Sequence, residues 1–210
     1  MKTKLILIGV ITIFLFVFSS SASALLFELK YEFDGALPPQ IYGTVDVTES
    51  GGDLDFLVKA NTSTLGANAD IHKLYFNLIN GFTSLGITSD DPVTTPYALI
   101  GPNSSVAGGA GASFDWGVNF GNGVGPSGPL QAATFTLSAT EALSIDDLLE
   151  FSDPNNTPPV TLAVHFQGTS TPFTSETVGG NPVPEPATML LLGTGLIGFA
   201  AVGRKKFFKK

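Results

Sequence analysis

The 210-residue chain carries 18 acidic and 10 basic residues, a net charge of −8, and no cysteine. Disulfides, thiolate metal sites and cysteine nucleophiles are thereby excluded. Seven of the ten cations lie at the two ends, so residues 25–180 hold three lysines against 17 acids, a formal charge of −14 that would repel nucleic acid phosphates.

The chain opens with Lys2 and Lys4, an uncharged run of 14 residues from Leu5 to Phe18, and then small residues at Ala22 and Ala24. That order is the plan of a secretory signal peptide over residues 1–24, engaged by the secretion translocon and cut by signal peptidase after Ala24. The run is short for a membrane span, which takes about 20 residues to cross the bilayer core.

Residues 25–176 read as an exported all-β domain. "LLFELKYEF" alternates, placing Leu25, Phe27, Leu29, Tyr31 and Phe33 on one face. "IYGTVDVTESGGDLDFLVKA" predicts a hairpin, with Ile41, Val45 and Val47 going out, a turn at "ESGGD", and Leu54, Phe56 and Val58 returning. "IHKLYFNLI" predicts a strand with Leu74, Phe76 and Leu78 inward. "SFDWGVNF" predicts another, with Phe114, Trp116, Val118 and Phe120 on one side, and "ATFTLSA" and "VTLAVHFQG" complete the series. One short helix is expected at "SIDDLLEFS", with Ser144 as N-cap and Asp146 and Asp147 in its first turn. Seven or eight short strands separated by turn signals predict a β-sandwich, with a jelly roll as the nearest alternative. Residues 101–129 contribute Gly/Pro/Ser-rich loops, and residues 177–183 read as a flexible linker.

Beyond the linker, Ala187 to Gly203 is 17 residues without a charge, at the lower limit for a single transmembrane helix. Pro186 suits its first turn. Arg204, Lys205 and Lys206 form a basic stop within the tail 204–210, which the positive-inside tendency keeps in the cytoplasm, leaving the domain outside the inner membrane.

Little in the domain points to catalysis. His72 shares the predicted face of Leu74 and Phe76, and His165 faces outward. Two histidines on different strands fall short of the three or four ligands of a zinc site. No Gly-x-Ser-x-Gly elbow occurs. Carboxylates pair at Asp53/Asp55, Asp90/Asp91 and Asp146/Asp147. Asp53 and Asp55, beside the "ESGGD" turn, are the candidate calcium ligands, though without EF-hand spacing. No other cofactor and no nucleic acid partner is expected. Tyr42, Tyr97 and Trp116 are the candidate stacking residues if the domain binds carbohydrate.

"VPEPATMLLLGTGLIGFAAVGRKK", Val183 to Lys206, combines Pro184-Glu185-Pro186, a short glycine-containing span and a basic stop. It resembles the PEP-CTERM sorting signal of Gram-negative bacteria, here occupying residues 184–210. The resemblance implies recognition by exosortase, removal of the tail, and delivery of the domain to the cell surface or the extracellular medium. Proteins of this kind are associated with exopolysaccharide and biofilm. The resulting expectation is a non-enzymatic surface or matrix protein that passes through the inner membrane as an intermediate. A carbohydrate-binding module is the alternative, and a secreted hydrolase is a weaker one. Two prolines around one residue also favour an extended backbone, the form in which a protease binds its substrate.

Overall fold

The computed structural model describes residues 23–33, 37–79, 81–89, 97–101, 106–107, 112–121, 128–154, 159–170, 174–183 and 193. The residues before Ser23 expected to form a signal peptide, Asp90/Asp91, Pro184-Glu185-Pro186 and the expected basic stop at Arg204, Lys205 and Lys206 lie outside the described residues. So does the expected transmembrane helix, apart from Gly193. Among the described residues no helix is long and apolar enough to cross a membrane.

The elements in chain order are β1 (Ala24–Glu32), β2 (Gly43–Ser50), β3 (Asp53–Ala60), a one-turn helix α1 (Thr62–Leu65), β4 (Asp70–Phe76), β5 (Leu85–Thr88) and β6 (Ala98–Ile100). There follow β7 (Val106–Ala107), β8 (Ala112–Phe114), β9 (Trp116–Asn119), β10 (Ala132–Ala139), a 3-10 turn (Ile145–Leu149), β11 (Asp153–Pro154), β12 (Leu162–Gln167) and β13 (Ser175–Pro182). The all-β expectation holds. Ten strands share one antiparallel ladder, in the order β5-β10-β3-β2-β1-β13-β12-β4-β9-β6. The terminal strands β5 and β6 contact each other, so this sheet is nearly closed. It wraps round its core: Phe56 on β3 reaches Phe76 on β4 at 6.0 Å between ring centroids, although the two strands are third and eighth in the ladder.

The hairpin forms as the sequence predicts. β2 and β3 pair without a break from Gly43↔Ala60 to Ser50↔Asp53. Gly51 and Gly52 both have positive φ, as a tight two-residue turn requires. Val45, Val47, Leu54, Phe56 and Val58 are buried in the core. Ile41 is not. It lies before the first ladder residue and is exposed, while Tyr42 is fully buried and donates its hydroxyl to the Pro38 carbonyl.

Elsewhere the alternation breaks at identifiable points. In β1 the register against β13 shifts between Leu29 and Tyr31. Phe27 and Leu29 enter the main core, whereas Tyr31 and Phe33 pack on a second cluster of Tyr75, Phe114, Val160 and Ala163. The expected single face of five residues is therefore divided by a bulge. The expected strand over "SFDWGVNF" is likewise two strands, β8 and β9, meeting at Asp115. The Asp115 N–H leaves the ladder and donates to Asn77 Oδ1 at 2.7 Å. Trp116, Val118 and Phe120 go to the main core, and Phe114 stacks with Tyr75 at 6.0 Å. β8 belongs instead to a second, three-stranded sheet, β11-β8-β7.

The helix expected at Ser144 is a 3-10 turn, its start fixed by the Ser144 N–H donating to Asp147 Oδ2 at 2.8 Å. α1 was not expected. Asn61 Oδ1 accepts from the Ser63 N–H and caps it.

The largest correction concerns the linker. Residues 175–182 form β13, a central strand held between β1 and β12. Its composition is polar and glycine-rich, and those glycines are the reason it fits. A Cβ on Gly180 would stand 2.9 Å from the Glu28 carbonyl oxygen and 3.0 Å from Leu29 Cδ2. One on Gly179 would stand 2.8 Å from Val160 Cγ1. Only bare backbone permits this approach of neighbouring strands.

Candidate functional site

The exit of the chain from the domain is set by β1 and β13. They run antiparallel with Phe27↔Pro182, and the pairing extends one step further, where the Val183 N–H donates to the Leu26 carbonyl at 2.7 Å. The next residue in sequence is Pro184. The start of β1 and the end of β13 thus lie side by side, so both ends of the exported domain leave it at one edge. Ala24, the expected cleavage position, is the first residue of β1 and pairs with Thr48, while the Ser23 carbonyl accepts from the Glu49 N–H at 3.0 Å.

The outer face of the β2-β3-β10-β5 region carries a transverse row of polar residues. Thr48 lies opposite Asp55, Asp55 opposite Thr136, and Thr136 opposite Thr88. Thr136 donates its hydroxyl to Asp55 Oδ1 at 2.6 Å. With Asp46 and Thr134 these residues line a groove of about 320 Å³. Asp53 lies two residues from Asp55 on β3, across from Ser50. Among the described residues no three His, Cys, Asp or Glu side chains group to hold a metal ion. Tyr42, Tyr97 and Trp116 are buried in the core, so none of the three offers a ring face to a sugar.

The two histidines, separate in sequence, meet in the fold. The register of β4 against β12 shifts where His165↔Lys73 is followed by Phe166↔Ile71, which leaves His72 as the extra residue. The bulge turns His72 away from the face of Leu74 and Phe76, where alternation predicted it, and toward His165. The two Nδ1 atoms are 3.0 Å apart. Gln167 Nε2 is 3.0 Å from the same His72 Nδ1, and Ser175 Oγ is 2.6 Å from His165 Nε2. Burial pushes His165 down to about 4, helped by the charges of His72 and Lys73. Asp70, at the start of β4, is raised by burial against the opposing effects of the Leu130 N–H it accepts and of His72. A β-bulge was the missing signal here, and strict alternation has no way to register one.

Comparison with known proteins locates one region. A family model described as the PEP-CTERM protein-sorting motif matches residues 182–205. No curated protein and no solved structure matches the chain. The matched segment begins at Pro182, the last residue of β13. The motif implies an exported protein processed at the membrane, with exosortase as the processing partner.

Proposed function

Because the chain carries a PEP-CTERM protein-sorting motif at residues 182–205, we propose that it is a non-enzymatic surface or matrix protein of a Gram-negative bacterium. In this reading residues 1–24 are a signal peptide and residues 187–203 a temporary transmembrane helix. The chain pauses in the inner membrane with Arg204, Lys205 and Lys206 in the cytoplasm. Exosortase then acts at Pro184-Glu185-Pro186, and the β domain passes to the cell surface or the medium, in association with exopolysaccharide or biofilm. The observation that carries this reading is the position of the motif, directly after a central strand whose neighbour is the first strand of the domain. The C-terminal span can then enter the bilayer directly from the end of β13.

The groove beside Asp55 favours a second reading, carbohydrate binding. Hydroxyls and carboxylates at hydrogen-bonding spacing suit a polyol, although no described ring stacks there.

The test is a tagged chain followed in strains with and without exosortase. The expected outcome is a shortened form outside the inner membrane in the first strain and a full-length membrane form in the second. Exchange of Pro184, Glu185 and Pro186 together for alanine should reproduce the second pattern. The same membrane-bound species in both strains would defeat the sorting reading. Retention of the released domain on the bacterium's own polysaccharide, lost in Asp55→Ala/Thr136→Ala, would favour the second.

A further inference from the structure

The histidine pair brings three polar side chains together at one point, His72 Nδ1. Two Nδ1 atoms 3.0 Å apart must share one proton, and the Gln167 amide converges on the same His72 nitrogen at the same distance. An ion held at about 2.0–2.1 Å by two imidazole nitrogens sets those nitrogens roughly 3.0–3.4 Å apart, depending on coordination angle. The spacing in this fold falls at the short end of that range. The rings are tilted at 55° with centroids 5.1 Å apart, so ring stacking does not account for the contact.

We propose that His72 Nδ1, His165 Nδ1 and the Gln167 amide oxygen form a binding site for one divalent transition ion of the copper, nickel or zinc type. Gln167 needs only a half-turn of its amide to present oxygen, since the two ends of that group are nearly equivalent in shape. Binding through Nδ1 moves the proton of each ring to Nε2. His165 Nε2–H then donates to Ser175 Oγ, which already stands 2.6 Å away. A ring held from behind in this manner is the usual outer-shell arrangement of a metal-bound histidine.

The donor set selects the ion. Two imidazoles and one amide suit copper, nickel or zinc, whereas calcium and magnesium need an oxygen-rich sphere. No carboxylate or thiolate completes the set among the described residues, so water fills the remaining positions and the ion exchanges readily. Lys73, across the ladder from His165, opposes the ion's charge, and Asp70, which interacts electrostatically with His72, partly offsets it. The bulge that leaves His72 unmatched in the ladder is what builds the site, in keeping with bulges that re-aim a side chain beside functional groups. This inference does not depend on the sorting reading.

The full chain, purified in detergent and stripped with chelator, should take up one Cu²⁺ with a dissociation constant on the order of micromolar. Binding should weaken from Cu²⁺ to Ni²⁺ and Zn²⁺, about tenfold or more, following the general order for nitrogen sites. The electron paramagnetic resonance spectrum of bound Cu²⁺ should show coupling to two imidazole nitrogens. Ser175→Ala, which spares all three ligands, should weaken binding about tenfold through lost ring orientation. His165→Gln should abolish the two-nitrogen spectrum. Two results would overturn the proposal. One is the absence of saturable Cu²⁺ binding by the wild-type chain at tenth-millimolar ion. The other is a wild-type spectrum with one imidazole nitrogen or none, which would place the ion elsewhere. The wild-type spectrum decides the matter even if a histidine variant fails to fold.

Discussion

The β2–β3 hairpin and the seam formed by β1, β13, β12 and β4 are parts of one sheet, yet they are built differently. The hairpin joins residues close in sequence through eight unbroken pairs and a Gly51-Gly52 turn. The seam joins the two ends of the domain, contains two register shifts, and replaces side chains with Gly179 and Gly180 at its centre. Local pairing is specified by alternation and turn chemistry. Pairing of distant segments is specified by fit, which allows bulges and bare glycine wherever neighbouring strands approach closely.

The difference predicts opposite failure modes. Phe56→Ala removes a ring stacked on Phe135 at 4.7 Å and near Phe76 at 6.0 Å. Emptying that volume should cost about 3–5 kcal/mol, the largest of these effects, measured as a lower midpoint in urea. In the seam the damaging change is addition. Gly180→Val should cost roughly 1–3 kcal/mol by crowding the Glu28 carbonyl and Leu29. Gly81→Val is not a fair control, because φ is positive there. Gly86→Ala on the edge strand β5 is a better one. Its Cβ would meet the Ser138 hydroxyl, the end of a movable side chain, and the change should cost well under the seam substitution. Equal costs at Gly180 and Gly86 would refute the claim that the seam depends on bare backbone.

A smaller effect tests the local signals. Asp147→Ala removes the acceptor for the Ser144 N–H and should cost about 1 kcal/mol, typical for loss of a helix-start partner. It should leave the seam intact, so the melting curve should move without broadening.

What the sequence made legible follows the same division. Val45, Val47, Leu54, Phe56 and Val58 were readable because a two-residue period and a glycine turn are local properties. Ser144 and Asp147 were readable because they lie three residues apart. β13 was not: Thr177, Gly179, Gly180 and Asn181 look like linker, yet they lie in a central strand. Its neighbours β1 and β12 supply hydrogen-bonding partners on both sides, which outweighs its poor strand propensity. The histidine contact was hidden by one inserted residue, since a bulge reverses every face assignment beyond it. The sorting motif was legible for a different reason. Its information lies in the order of residues along 182–205 and requires no fold.

The last prediction concerns pH at that seam, in chelator so that only protons compete. His165 has its acidity shifted from 6.5 to about 4, first by burial and then by His72 and Lys73. Its neutral form is favoured by folding, so the stability linked to it is complete above pH 6.5, where folded and unfolded chains both carry it neutral. As pH falls from 6.5 toward 4 the unfolded chain binds the proton first, and stability declines. Asp70 acts in the opposite direction near the acid end, because burial makes its folded form take up a proton earlier than the unfolded one. Comparison with His165→Gln removes the histidine contribution while keeping that of Asp70. The wild-type urea midpoint should therefore fall more than the variant's between pH 6.5 and 4, and the two slopes should agree above 6.5. Parallel curves throughout would mean that His165 titrates as an ordinary exposed histidine and that the seam does not bury it effectively. The effect should be the smallest of the four, because His165 remains partly in contact with solvent, which screens both charges acting on it.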